Sequence, residues 1–258
     1  MKCIKNYNKQ AFTLHELLVV MIVVAGMALL AVQSMAQVAK KSPRIYCANN
    51  LKQISTAFRV WAGNHTDRYP QQVSNAQGGA MIFGAAVLPS HTYTVFQVMS
   101  NELITPKIVV CPSDGERNAT TNFVNLAGRG NFNNLAVSYW VGRDAHQTMP
   151  QMFLTGDRNV YGNSASTNSP TVAVLSGYGN SPYSPSLAGS LVAIGTNASS
   201  TLNPPPIGFT DKMHGKAGNV AMADGSVQQF SSLRFYSARA QTGDPTGTAP
   251  GQNTILFP

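Results

Sequence analysis

Leu17-Leu18-Val19-Val20-Met21-Ile22-Val23-Val24-Ala25-Gly26-Met27-Ala28-Leu29-Leu30-Ala31-Val32 holds no charge and no proline. With Phe12 to Glu16 before it and Gln33 to Ala36 after it, the stretch covers residues 12–36. At about 1.5 Å rise per residue, a helix of that length crosses a bilayer core about 30 Å thick. A cleavable secretory signal also has a basic start and an apolar middle, but its apolar region is usually about 7–15 residues long and has no use for a carboxylate at its start. Glu16 in hydrocarbon costs about 3 kcal/mol unless it is paired, so it demands a partner. Lys2, Lys5 and Lys9 on one flank face Lys40, Lys41 and Arg44 on the other, and the positive-inside count gives no orientation.

Past this stretch the pattern turns amphipathic. Cys47, Leu51, Ile54, Phe58 and Trp61 recur at spacings of four, three, four and three, which is one face of a helix. Asn49, Asn50, Lys52, Gln53 and Arg59 fall on other faces, and Gly63 ends the pattern ahead of Tyr69-Pro70. Ser42-Pro43 either restarts the helix as cap and first residue or kinks a continuous one. Residues 37–68 read as a helical spine, and residues 69–241 as a β-rich head. Within the head, 108–110, 135–141, 172–175 and 190–194 read as buried strands. Loops rich in Asn, Gly, Ser and Pro separate them, notably 156–170, 177–185 and 197–206. Residues 242–258, with several Pro and Gly, read as an extended, partly mobile tail.

The 258 residues are 43% hydrophobic, enough for a substantial core. Only 11% are charged, against about 25% in an average soluble domain, so amides and hydroxyls make the polar surface. Without Lys2, Lys5 and Lys9 the balance is 15 basic to 10 acidic residues. No basic run interleaved with aromatics tracks a phosphate backbone, which argues against a nucleic-acid partner. No Gly-x-Ser-x-Gly elbow, His-Glu-x-x-His helix or phosphate-binding loop appears either, so no enzyme is expected. His65 and Asp67, two apart past the helix end, read as solvated, and His91 and His146 as lone loop histidines.

The segment Lys9-Gln10-Ala11-Phe12-Thr13-Leu14-His15-Glu16-Leu17-Leu18-Val19-Val20 resembles the type IV prepilin signature: a basic leader, a small residue, Phe-Thr-Leu-x-Glu and an apolar helix. The resemblance implies that residues 1–11 are a leader, that prepilin peptidase cuts between Ala11 and Phe12, and that Phe12 is then methylated. It also implies that Glu16 meets the N-terminal amine of the neighbouring subunit during assembly, which supplies the partner the membrane demands. Family members usually have Gly in place of Ala11 and an aliphatic residue in place of His15. The implied topology places the leader in the cytoplasm and the head outside it.

With Cys3 lost in the leader, Cys47 and Cys111 remain in an oxidising compartment. A disulfide between them would pin the spine to the head and be worth roughly 4 kcal/mol; two buried thiols are the alternative. The stretch from His214 to Val227 alternates on either side of Asp224-Gly225 and reads as a β-hairpin with a tight turn. It resembles the His, nine residues, Asp-Gly motif near the C-terminus of many prepilin-type proteins. Members of that set also tend to carry an early Cys with Asn-Leu-Lys-Gln, here Cys47 with Asn50-Leu51-Lys52-Gln53, and Cys111-Pro112-Ser113-Asp114 follows later in this chain.

His214, Asp224 and Gly225, with Asp157 of Thr155-Gly156-Asp157-Arg158-Asn159 as a third group, are the candidate ligand site. Related major pseudopilins bind calcium in their heads, yet calcium takes six to eight oxygens, a histidine argues against it, and no EF-hand spacing is present. The competing reading has Asp224 capping the turn, His214 bonding within the hairpin and Asp157 capping a turn beside a surface pair with Arg158. Turn chemistry favours this second reading.

The expected fold class is therefore α+β and pilin-like: a long N-terminal helix, transmembrane at residues 12–36, packed on an antiparallel β-sheet head with long loops. The expected role is a prepilin-type structural subunit of a type IV pilus or type II secretion pseudopilus. Its partners would be prepilin peptidase, other pilin or pseudopilin subunits, an inner-membrane assembly platform and the lipid bilayer. The rival is a prepilin-anchored surface adhesin or glycan-binding module, for which Tyr161, Tyr178 and Tyr183 would be exposed stacking groups.

Overall fold

The computed structural model describes residues 13–81, 87–124, 131–162, 190–194, 207–242 and 253–258, with backbone alone for 29–42, 89, 162, 190 and 193. Two compact units divide the chain, residues 1–42 and 43–258. Helix α1 (Leu14–Gly63) contributes to both and runs through Pro43, so the helix does not restart there.

The start of α1 is a capping box. The Thr13 amide donates to Glu16 Oε2 at 2.9 Å while the Glu16 amide donates to Thr13 Oγ1 at 3.3 Å, satisfying two donors that a helix start otherwise leaves open. Beyond it, the large apolar side chains from Leu17 to Val24, and Met27, are all exposed. Among the described residues no helix is long and apolar enough to cross a membrane. Side chains are described for the expected span only from Thr13 to Ala28, and Ala11, Phe12 and the side chains of 29–36 lie outside them.

In the second unit the spine face forms as its periodicity predicts: Cys47, Leu51, Ile54, Phe58 and Trp61 are all buried. Each such side chain contributes about 1.5–3 kcal/mol over its exposed state. Among the described residues eight strands follow: β1 (Tyr139–Gly142), β2 (Phe153–Asp157), β3 (Val160–Gly162), β4 (Ser190–Ala193), β5 (Ile207–Phe209), β6 (Ala217–Met222), β7 (Val227–Ser231) and β8 (Thr254–Phe257). Six make an antiparallel sheet in the order β4-β8-β1-β2-β6-β7, and β3 pairs with β5. Short helices α2 (Thr92–Val98), α3 (Ser100–Leu103) and α4 (Ser232–Ala238) complete the head. This is the expected α+β class with an antiparallel sheet.

The sheet is covered on both faces. Val141, Leu154, Ala221 and Leu256 join the core of the α1 side chains, while their strand neighbours Trp140, Phe153, Val220 and Phe257 join a second core with Phe209, Phe230 and Phe235. Successive strand residues point to opposite faces, so a sheet buried on both sides shows continuous apolar runs.

Several sequence expectations change. Residues 106–109 form a 3₁₀ turn rather than a strand, because Pro106 is its first residue and Thr105 Oγ1 accepts from the Lys107 amide. Residues 134–136 are likewise a 3₁₀ turn capped by Asn133, and the strand begins only at Tyr139. The expected tail is a correction of larger consequence: Thr254–Phe257 is β8, fully buried and hydrogen-bonded between β4 and β1. His65 is not free in solvent, since its ring stacks on Trp61 at 3.6 Å. Residues 172–175, Tyr178 and Tyr183 lie outside the described residues, and Tyr161 is half-buried in β3.

Candidate functional site

Cys47 and Cys111 form a disulfide with Cα atoms 5.3 Å apart, joining the spine to the segment after the 106–109 turn. Two further elements bring side chains to it. Asp157 is the last residue of β2, and His214 precedes the turn into β6. In that turn Gly215 and Lys216 both have positive φ, 62° and 61°, a conformation that costs Lys216 about 1–2 kcal/mol. His214 Nε2 lies 3.3 Å from Asp157 Oδ2 and 3.4 Å from Cys111 Sγ. Both side chains are sealed from solvent, at 1% and 0% exposure.

Burial sets the electrostatics. It pushes the Asp157 carboxyl up to about 7, against the Asn219 donors and the Arg44 charge that favour ionisation. Burial and Arg44 together push the His214 imidazole down to about 4. The pair therefore avoids the doubly charged form, since a desolvated imidazolium and carboxylate both lose hydration. Asp157 Oδ2 accepts from the Asn219 amide at 2.7 Å and from its Nδ2 at 3.0 Å. Asp157 Oδ1 is buried with no hydrogen-bond partner among the described residues.

His214 and Asp224 do not share a site. They flank opposite ends of the six-residue β6, roughly 20 Å of strand. Asp224 caps the turn, its Oδ1 accepting from the Ser226 amide at 2.7 Å, with Gly225 at φ 84°. The spine holds this turn: Lys52 Nζ and Ser55 Oγ donate to the Gly225 carbonyl at 2.8 and 3.2 Å, and Arg59 Nη1 donates to the Asp224 carbonyl at 3.2 Å. Tyr69 Oη donates to Ala223 O at 2.8 Å. The Asn-Leu-Lys-Gln and Asp-Gly motifs are thus two sides of one contact. His214, however, bonds outside its hairpin.

The expected surface pair of Asp157 with Arg158 is also corrected. Arg158 is buried and grips Asp114 through two bonds, Nε to Oδ2 at 2.6 Å and Nη2 to Oδ1 at 2.7 Å, with Glu116 at 2.8 Å. Lys212 reaches the other Glu116 oxygen at 3.2 Å. Burial raises the Asp114 carboxyl, but Arg158 outweighs it and holds the group below its ordinary range. From sequence alone, Arg44 is only a flanking charge, Arg158 only a surface partner, and Asn219 has no role. Asn219 left one signal, a polar residue inside the apolar run of β6.

Among the described residues, Cys47, Cys111, Asp157 and His214 form the one cluster with metal-ligating atoms close together. It offers a single carboxylate, so it does not suit calcium. As oxidised, the cluster is a covalent link with a buried imidazole and carboxyl packed against it, and it ties the Cys111 segment to the spine and to His214. No family model, no characterised protein and no solved structure matches the chain.

Proposed function

We propose that the chain is a prepilin-type structural subunit of a type IV pilus or type II secretion pseudopilus. It is cut between Ala11 and Phe12, held in the inner membrane by residues 12–36 with its head in the periplasm, and drawn by an assembly platform into a filament of like subunits. The observation that carries this reading is the exposure of every side chain from Leu17 to Val24. Eight consecutive residues cover all sides of a helix at 3.6 residues per turn. Apolar surface of that extent is stable against lipid or other helices. The bilayer supplies the first before assembly, and neighbouring subunits supply the second after it.

Helix α1 runs unbroken from Leu14 to Gly63, and its face from Cys47 onward is the spine buried in the head. The role is mechanical, with the head as the part that meets other molecules. The deciding experiment is intact mass and N-terminal sequencing of protein from the native envelope. The expected result is an N-methylated Phe12; a first residue at Met1, or a cut near Ala36, would overturn the reading.

A further inference from the structure

Cys47, Cys111, Asp157 and His214 present two sulfurs, a carboxylate oxygen and an imidazole nitrogen, all within 4.8 Å of one another. The disulfide occupies both sulfurs in the oxidised chain. We propose that, once a dithiol reduces Cys47–Cys111, these four side chains bind one Zn²⁺ tetrahedrally, so that a metal replaces the disulfide as the link between spine and head.

Distance is the first support. With Zn–N and Zn–O near 2.05 Å and Zn–S near 2.3 Å, the edges of a tetrahedron are about 3.4 Å between N and O and about 3.6 Å between N and S. The observed separations are 3.3 Å for His214 Nε2 to Asp157 Oδ2 and 3.4 Å for His214 Nε2 to Cys111 Sγ. Two edges are therefore already near their metal-bound lengths. The sulfurs must open to about 3.8 Å, and the remaining ligand atoms, which lie within 4.8 Å of one another, must draw in to the other tetrahedral edges.

The surroundings are the second support. Metal-binding carboxylates are oriented by hydrogen bonds from outside the ligand set, and Asn219 already gives Asp157 Oδ2 two. Asp157 Oδ1 remains buried and unpartnered among the described residues, although buried polar atoms are nearly always satisfied. Charge is the third. Two thiolates and one carboxylate on Zn²⁺ leave a net −1, which a desolvated site tolerates only beside a cation. Arg44 acts on both His214 and Asp157, and its buried Nε has no hydrogen-bond partner among the described residues. Two sulfurs and an imidazole select zinc over calcium or magnesium.

The chemistry balances. The dithiol gives two electrons and two protons to the disulfide and becomes a disulfide itself, leaving two protein thiols. Zinc uptake releases those two protons, and that of Asp157 where its carboxyl is protonated.

The test uses the full chain in detergent micelles, reduced by a water-soluble phosphine that is then removed without oxygen, and titrated with Co²⁺. The expected result is one Co²⁺ per reduced chain, with tetrahedral ligand-field absorption and thiolate charge transfer, displaced by Zn²⁺; the oxidised chain shows neither band. His214→Gln and Asp157→Asn each weaken cobalt by at least the roughly 10–100-fold that outer-shell changes cost. A folded, reduced parent chain that takes up no cobalt, or takes it up without thiolate charge transfer, would overturn the proposal. So would variants that bind as tightly as the parent. Should reduction unfold the chain, return of the oxidised circular dichroism on adding Zn²⁺ supports the site, and its failure to return rejects it.

Discussion

Lys52 Nζ on the spine helix donates to the carbonyl of Gly225 at 2.8 Å, joining residues 173 apart in sequence. The contact depends on a turn that only glycine enters without strain. At φ 84° an alanine pays about 1–2 kcal/mol, and its Cβ would stand 3.1 Å from Arg59 Cδ. Gly225→Ala is expected to lower stability by about 2 kcal/mol, and Lys52→Met by about 1–2 kcal/mol as a charged hydrogen bond is lost. Urea denaturation of the full chain in micelles measures both; additive losses in the double variant would mean that the two residues do not act through one contact.

Acid should weaken the head through Asp114. Burial raises this carboxyl, yet Arg158 holds it below its ordinary value in the folded chain, and the unfolded value is about 3.9. A lowered native value gives stability that is present above about pH 4 and is lost as pH falls through the native value. Asp114→Asn should flatten that slope. At neutral pH it should cost about 3 kcal/mol, because Arg158 stays buried with its two-bond partner gone. Denaturation midpoints between pH 2 and 7 decide, and an unchanged slope in the variant would remove Asp114 from the account.

The disulfide closes a loop with a sequence separation of 64, worth roughly 4 kcal/mol in the chain-entropy picture. Cys47→Ala with Cys111→Ala should lose about that much in metal-free buffer. A loss under about 1 kcal/mol would show that packing along Leu51, Ile54 and Phe58 holds the spine unaided.

The capping contact of Glu16 and its proposed pairing with a neighbouring subunit can be separated. The Glu16 carboxylate accepts from the Thr13 amide at the helix start, and glutamine can serve in the same capping position. Glu16→Gln should therefore keep the helix start while losing the charge, and Glu16→Ala should lose both. If charge pairing with a neighbour drives assembly, both variants insert in the membrane and neither enters filaments. Filaments containing Glu16→Gln but not Glu16→Ala would assign the residue to capping instead.

Leu256 separates a strand from a tail. It is fully buried and joins the α1 core, so Leu256→Ala should cost about 2–5 kcal/mol. A loose terminal segment would give almost nothing.

The spine was legible in advance because Cys47, Leu51, Ile54, Phe58 and Trp61 recur along one helical face, and the Cys47–Cys111 disulfide was one of two readings of the pair, buried free thiols being the other. The sheet was harder. Phe153-Leu154 and Ile255-Leu256-Phe257 feed opposite cores with consecutive side chains, so the alternation that marks a one-sided strand is absent, and nearby Pro and Gly made 254–257 read as a tail. The buried charges were hidden for another reason. Asp114 and Arg158 meet across 44 residues, and Asp157, set among Gly156, Arg158 and Asn159, has the local composition of an exposed turn. His214, named with Asp224 and Asp157 as a candidate ligand group, lies beside Asp157 of β2 and not beside Asp224, ten residues along its own hairpin.

The disulfide also fixes how load travels. Tension applied to residues 43–63 of α1 meets a covalent bond at Cys47, ahead of Lys52, Ser55 and Arg59 in the direction of pull. Force passes directly to Cys111 and the Asp114–Arg158 clamp, and the hydrogen bonds to the Asp224-Gly225 turn sit behind it, shielded. An oxidised head should withstand stretching that peels a reduced one from its spine one contact at a time.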